Sequence, residues 1–320
     1  MMMEKTERHR FLPCVLILIT AICLISFSLL QLLSGLCGTT RMRSEFYPAS
    51  IASSEAHGSA TVVTSYYQIP SKHSHKKYLE WMSNFLAVIP CSLYVVTDNQ
   101  SNPTIEEMRF LWRDRTVIDV RDMASLDFEH SDIFWIEQRR HDPQRHVPRG
   151  PELYMVWHLK TRFVMEAIET NPFDSEYFIW CDIGSFRRRD HAQLLKNFPN
   201  ISTLETLNTK RMYLLAIGGQ FSEDDLKLRA DGLPKNDMSV GPNRMSGGVM
   251  VGHRNAWIRW NQKFYYVARR LTSVGRFIGD DQAVMASVVV LFPELVQLIY
   301  PKPYYGDAGN EWFYLQYFFS

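Results

Sequence analysis

Asp182 stands at the end of an apolar run, with a glycine two residues later and arginines just beyond (Glu176–Arg187, EYFIWCDIGSFR). In open parallel sheets ligands sit outside the carboxyl ends of the strands. A carboxylate placed there can handle a metal, a ribose or a pyrophosphate, although an isolated Asp-x-Gly equally fits a strand ending in a turn. Lys160 falls inside an apolar stripe, between Val156 and Phe163. A lysine on a buried face needs a partner or a route to water. It reads either as a structural ion pair or as a cation aimed at the sheet edge, holding a phosphate or Asp182. Asp280 and Asp281 open an apolar helix. That is ordinary capping, or a pair of acids for a sugar hydroxyl or a base role. Gly247 and Gly248 open a strand. Such glycines let a ligand approach closely or form a tight packing corner. Arg139, Arg140, His141, Arg145, His146 and Arg149 make a solvated loop or a basic rim that attracts a phosphorylated or acidic ligand.

These groups need a scaffold. Residues 60–67, 91–97 and 116–120 are rich in β-formers and predict strands. Helical spacing over 78–88, stopped by Pro90, and a helix over 104–112 lie between them. The βαβαβ pattern predicts an α/β fold with a mostly parallel sheet flanked by helices. Residues 151–170 give the strongest helix, with Pro151 in its first turn. Residues 177–181 read as a strand buried on both faces. A short helix or turn over 190–198, a strand over 211–217, a polar loop over 222–242 and a strand over 244–252 follow. An amphipathic helix spans 254–272, an apolar helix 283–292 and a last strand 295–300. Residues 122–150 read as mixed loop, and 301–320 as an aromatic, polar tail.

The N-terminus differs in kind. Residues 11–37 are apolar for longer than the roughly 20 residues that span a bilayer, and longer than a cleavable signal's core. They predict a signal-anchor after a cytosolic tail (1–10), followed by a stem (38–59) and a domain (60–320). Arg41 and Arg43 after the span offset Lys5, Arg8 and Arg10 before it. The type II orientation therefore rests on the short tail and the large following domain. Of the five cysteines, only Cys91 and Cys181 lie in the domain, and the expectation is two buried thiols. Asn99 and Asn200 are glycosylation acceptors if the domain is lumenal. A net charge of +1 excludes a general nucleic-acid binder.

With those residues in view, the chain resembles the HtrL/YibB family of glycosyltransferase-like proteins. The resemblance rests on Thr61–Tyr67, Pro151–Tyr154 with Lys160 and Thr161, Asn171–Phe178, Trp180–Arg187, Gly247–Gly248 and Asp281–Gln282. It implies a GT-A-like, Rossmann-like sheet and a nucleotide-sugar donor. Carried over, Thr64, Ser65 and Tyr66 face the nucleotide, Tyr66 or Tyr67 stacks on the base, and Asp98 lies near base or ribose. Asp182 takes the Asp-x-Asp place, Gly247 and Gly248 line the sugar site, and Asp280 or Asp281 lies near the acceptor. Gly184 stands where the second Asp belongs, so Mn²⁺ or Mg²⁺ has a thin supply of ligands. Lys160, Arg187 or Arg188 would neutralise the departing diphosphate instead.

The implied activity is sugar transfer to a hydroxyl on a glycan, protein or lipid in the Golgi or ER. Asp182 would serve donor or metal, Lys160 and Arg187 phosphate, and Asp281 the base. A non-catalytic, membrane-anchored binder of glycans or nucleotide sugars on the same fold is the alternative. A phosphohydrolase with Asp182 as nucleophile fits less well, because no Asp follows two residues on.

Overall fold

In the computed structural model, which describes residues 60–218, 221–302 and 311–320, the sequence pattern becomes a seven-stranded sheet. The strands are β1 (Ala60–Tyr66), β2 (Ser92–Thr97), β3 (Thr116–Val120), β4 (Tyr177–Cys181), β5 (Met212–Ala216), β6 (Met245–His253) and β7 (Val296–Ile299). Their order is β3-β2-β1-β4-β6-β5-β7. The pairs β1–β2, β2–β3, β1–β4 and β5–β7 are parallel, while β6 runs antiparallel to both β4 and β5. The sheet is thus mostly parallel, with β6 opposing the rest. The long connection over 217–244 returns the chain to the sheet edge where β4 ends, and β6 departs from there in the opposite direction.

Both faces are covered, which is why β1, β4, β5 and β6 read as continuous buried runs. On one face Val63, Phe178 and Trp180 pack under the helices Pro151–Thr170 and Arg254–Ser273. On the other, Val62, Tyr66 and Ile179 meet the helix His75–Leu86 and the C-terminal helix Tyr314–Phe318. The first of these helices is capped by Ser74, whose side chain accepts from Lys77 N. The Pro151–Thr170 helix starts on its proline and ends where Asn171 turns left-handed, at φ 34°. At 20 residues it is about 30 Å long and crosses the sheet above β1 and β4.

Several expectations change. Residues 122–150 contain a helix, Asp132–His141, capped by Ser131. Its basic residues are mostly used internally. Arg139 donates to the carbonyls of Arg145, Val147 and Arg149, Arg140 pairs with Glu137, and Arg149 pairs with the buried Asp142 at 2.8 Å. The helix expected over 104–112 is Asn102–Met108, followed by a 3₁₀ segment kinked at Trp112. The tail holds a 3₁₀ turn, Glu311–Phe313, and the helix Tyr314–Phe318. Cys91 and Cys181 are free and buried. The span expected over 11–37 lies outside the described residues. Among the described residues no helix is long and apolar enough to cross a membrane.

Candidate functional site

Strand order reverses between β1 and β4: from β1 the chain first builds outward to β2 and β3, then crosses over to β4. Such a switch point opens a crevice at the carboxyl ends of the two strands. Val63 lies opposite Trp180, so Thr64, Ser65 and Tyr66 continue along the edge at which Asp182 leaves β4.

Lys160, Asp182, Asp281 and Gly247 meet there. Lys160 Nζ lies 3.0 Å from Asp182 Oδ1 and 2.8 Å from Asp281 Oδ2. It also donates to the Gly247 carbonyl at 3.0 Å. Three oxygens match the three protons of an ammonium. The stem is boxed by Trp157 and Trp180, whose ring centroids lie 6.0 and 5.8 Å from Nζ. Burial works against the ammonium, but the two carboxylates outweigh it and hold its pKa above the usual lysine range.

The two carboxylates are not equivalent. Asp182 Oδ1 accepts from Trp180 Nε1 at 2.7 Å as well as facing Lys160. Its backbone N–H donates to Gly248 O at 2.7 Å. Its side chain is 36% exposed, and Oδ2 has no protein partner among the described residues. Asp281 is 4% exposed and faces inward. Burial, helped by Asp281 and opposed by Lys160, leaves the Asp182 pKa raised. Next door, Asp280 caps the helix Asp281–Leu291 by accepting from Gln282 N. Burial first, then the Asp281 charge, pushes it up to about 7.

The two glycines have separate jobs. A Cβ on Gly247 would stand 2.7 Å from Asp281 Oδ2, whereas one on Gly248 would meet Phe313 at 3.4 Å. Only Gly247 is required by the approach of Asp281. Both sit where β6 bulges away from β5: Ser246 pairs with Leu215 and Met250 with Leu214, leaving 247–249 unmatched on that side.

Beside Asp182 lies an aromatic shelf that sequence reading missed. The Arg187 guanidinium stacks on Trp81, 3.6 Å from its ring centroid, and faces Phe313 at 5.0 Å. Its Nε donates to Gly184 O at 2.6 Å. Tyr78 packs edge-on to Trp81, and a Cβ on Gly184 would press on Trp81 at 3.1 Å and Tyr78 at 3.3 Å. The signal was present as an amphipathic spacing, which cannot say whether an aromatic faces core or cleft.

The remaining candidates are dispersed. Thr64 and Ser65 are buried, and neither hydroxyl has a hydrogen-bond partner among the described residues. The two side chains point to opposite faces, as strand period requires. Tyr66 is buried, bonded through its hydroxyl to His75 Nδ1 at 2.7 Å. Tyr67 donates to Arg121 O. Asp98 Oδ1 accepts from Ser101 N, closing a turn. Arg188 pairs with Asp190.

A divalent cation does not fit this donor set. Asp182 Oδ1 already serves Trp180 and Lys160, Asp281 Oδ2 faces Lys160, and a side chain at position 184 would start tight against Trp81 and Tyr78. Among the described residues no group of three or more His, Cys, Asp or Glu could hold a metal ion; a hard cation wants six or more oxygens.

Comparison with known proteins bears on lineage more than on chemistry. The mouse xyloside xylosyltransferase 1 apo structure is similar at 13% identity and TM-score 0.38, over 75% of this chain and 84% of that one. The 4-diphosphocytidyl-2C-methyl-D-erythritol synthase of Anaerococcus prevotii is similar at 9% identity and TM-score 0.36, over 81% and 97%. Likenesses this distant transfer no activity. A search of the curated proteins finds no match. The model of a family described as a bacterial protein of unknown function, HtrL_YibB, matches residues 58–319, and the chain therefore belongs to the HtrL/YibB family.

Proposed function

We propose that the protein is a glycosyltransferase that moves a sugar from a nucleotide-sugar donor to a hydroxyl on a glycan, protein or lipid. One observation carries this reading. A buried lysine locks two carboxylates at the switch-point crevice, leaving one oxygen of Asp182 open to a ligand. Sugar transfer needs a group that takes the acceptor proton, cationic compensation for the departing diphosphate, and precise placement. Asp182, with its raised pKa and open Oδ2, is the group to accept that proton or a sugar hydroxyl. Asp281, sealed behind Lys160, acts on Asp182 as a positioning residue. Arg187 is the cation beside it. The nucleotide would lie toward the end of β1, where the hydroxyls of Thr64 and Ser65 are buried and have no hydrogen-bond partner among the described residues.

The second reading is a membrane-anchored glycan or nucleotide-sugar binder. It is favoured by the same ion pairs, since two carboxylates tied to one lysine also make a fixed polar cradle that can hold a hydroxyl without moving a proton. Turnover of a panel of nucleotide sugars by the full-length protein separates the two. Asp182→Asn should abolish turnover and leave donor binding in place. Donor or glycan binding with no turnover in the wild type would favour the binder.

The same proposal places the chain in the Golgi or ER membrane as a type II protein, with residues 11–37 as anchor and 38–59 as stem. The length of the apolar run supports it. The exposed Asn99 gives a readout. In a eukaryotic host the protein should resist alkaline extraction from membranes, and Asn99→Gln should remove a glycosidase-sensitive mass. A protein that appears in the medium without an anchor would overturn the placement.

A further inference from the structure

A nucleotide-sugar site must neutralise a diphosphate, and the crevice does so with side chains that have no other task. Arg187 and Lys72 have no carboxylate partner among the described residues. Arg187 is held flat on Trp81 with only a carbonyl on its Nε. Burial lowers its pKa, only partly offset by Tyr78 and Asp182 nearby, and no carboxylate pairs with it directly among the described residues. Lys72 is depressed by partial burial and then by the charges of Arg187 and Arg149. His73 is likewise depressed by burial, Arg187 and Lys72. Like charges crowded together destabilise a fold unless an anion answers them. Arg149 already has Asp142; Arg187 and Lys72 do not.

Lys160 completes the picture from the other side. Two carboxylates and a carbonyl converge on one point within 3.0 Å, and the ammonium occupies that point. A single positive charge there cancels part of the acidic pair and leaves Asp182 Oδ2 as the one open carboxylate oxygen, too few for a second cation. At Gly184, even a Cβ would press on Trp81 at 3.1 Å and Tyr78 at 3.3 Å.

We propose that the site binds the diphosphate of its donor without a divalent cation. Lys160 stands between Asp182 and Asp281 where a cation would sit, and the Arg187 guanidinium, held on Trp81, grips the phosphate oxygens. The inference rests on the nucleotide-sugar reading and specifies how that ligand is held. Arg187 offers two free guanidinium nitrogens in a plane fixed by the indole, the geometry that suits paired phosphate oxygens. Asp182, through its open Oδ2, then faces the sugar rather than the phosphates, with Asp281 behind it on the far side of Lys160.

The test is calorimetric binding of UDP, GDP, CDP and ADP to the full-length protein, once in EDTA and once in Mn²⁺. One of these should bind equally well in both. Its affinity should fall roughly tenfold or more in Arg187→Gln, the loss expected for a charge-assisted contact. The fall should be absent in Arg189→Gln, an exposed neighbour of equal charge. Binding that appears only with Mn²⁺ would overturn the metal-free site and leave the donor class standing. Equal binding in both conditions that ignores Arg187→Gln would overturn the assigned residues. No binding in either condition, in a sample that melts cooperatively, would overturn the donor reading and this inference with it.

Discussion

Two buried cations occupy opposite ends of this sheet, and their company differs. Arg109, 1% exposed, donates to the carbonyls of Leu86, Ile89 and Cys91 and to Thr116 Oγ1. It ties the end of one helix to the starts of β2 and β3, away from the carboxyl edge, and touches no carboxylate. Burial lowers its pKa. Lys160 sits at the carboxyl edge with two carboxylates and one carbonyl, and its pKa moves the other way. A cation satisfied by neutral acceptors costs desolvation and returns connectivity. A cation satisfied by acids returns a set of charges whose balance a ligand can alter. The partners, more than the depth of burial, separate staple from machinery.

Replacing each cation with methionine should break the comparison most visibly. Lys160→Met leaves two carboxylates facing each other and should cost about 3–5 kcal/mol in urea unfolding at neutral pH. That cost should shrink as the pH falls, because protons neutralise the facing carboxylates that the missing ammonium no longer separates. Arg109→Met strands three carbonyls and should cost about 3 kcal/mol or more, with no such pH dependence. Turnover should vanish in the first variant and persist in the folded fraction of the second. If Lys160→Met keeps turnover, the distinction drawn here is wrong.

The glycine pair sharpens the same contrast at lower energy. Gly247→Ala pushes a methyl toward Asp281 Oδ2 and should cost about 1–3 kcal/mol, with loss of activity beyond that expected from stability. Gly248→Ala meets the edge of Phe313 at 3.4 Å and Ser246 Oγ at 3.6 Å, ordinary contacts, and should stay within about 0.5 kcal/mol of wild type. Paired melting curves and donor binding would show whether the two differ.

Asp280→Asn should have the smallest effect. The folded carboxyl titrates at about 7 against about 3.9 unfolded. The folded state therefore holds the extra proton between those values, and this contribution to stability is lost as pH rises through about 7. Asparagine keeps the cap and removes the buried charge. It should stabilise by roughly 1 kcal/mol at pH 8 after solvent screening and by nothing near pH 4. Equal melting shifts at both pH values would contradict it.

Much of the scaffold was legible. The Pro151–Thr170 helix, β3 and β4 match their sequence-based bounds, because a capping proline, a β-branched run and an aromatic run act locally. Lys160 stood out as a charge in an apolar stripe, and the structure supplies partners from 22 and 121 residues further along the chain. The reversed direction of β6 was not legible, since alternation and burial are the same for either direction. Arg109 was invisible because its acceptors are backbone carbonyls, which every sequence has. The Trp81 shelf was hidden because helical spacing marks a face without saying what covers it. Thr64 and Ser65 were placed at the right edge, but their full burial depends on packing from above.

Lys160, Asp182 and Asp281 come from a mid-helix turn, a strand end and a helix start. No local opening of a loop can loosen one of them while the others keep their geometry. Hydrogen exchange at Leu159–Thr161, Cys181 and Val284 should consequently proceed through the slowest, global route. Heat should erase ligand binding and helical signal at one midpoint, so that a weakened binder among variants can be separated from a weakened fold by that coincidence alone.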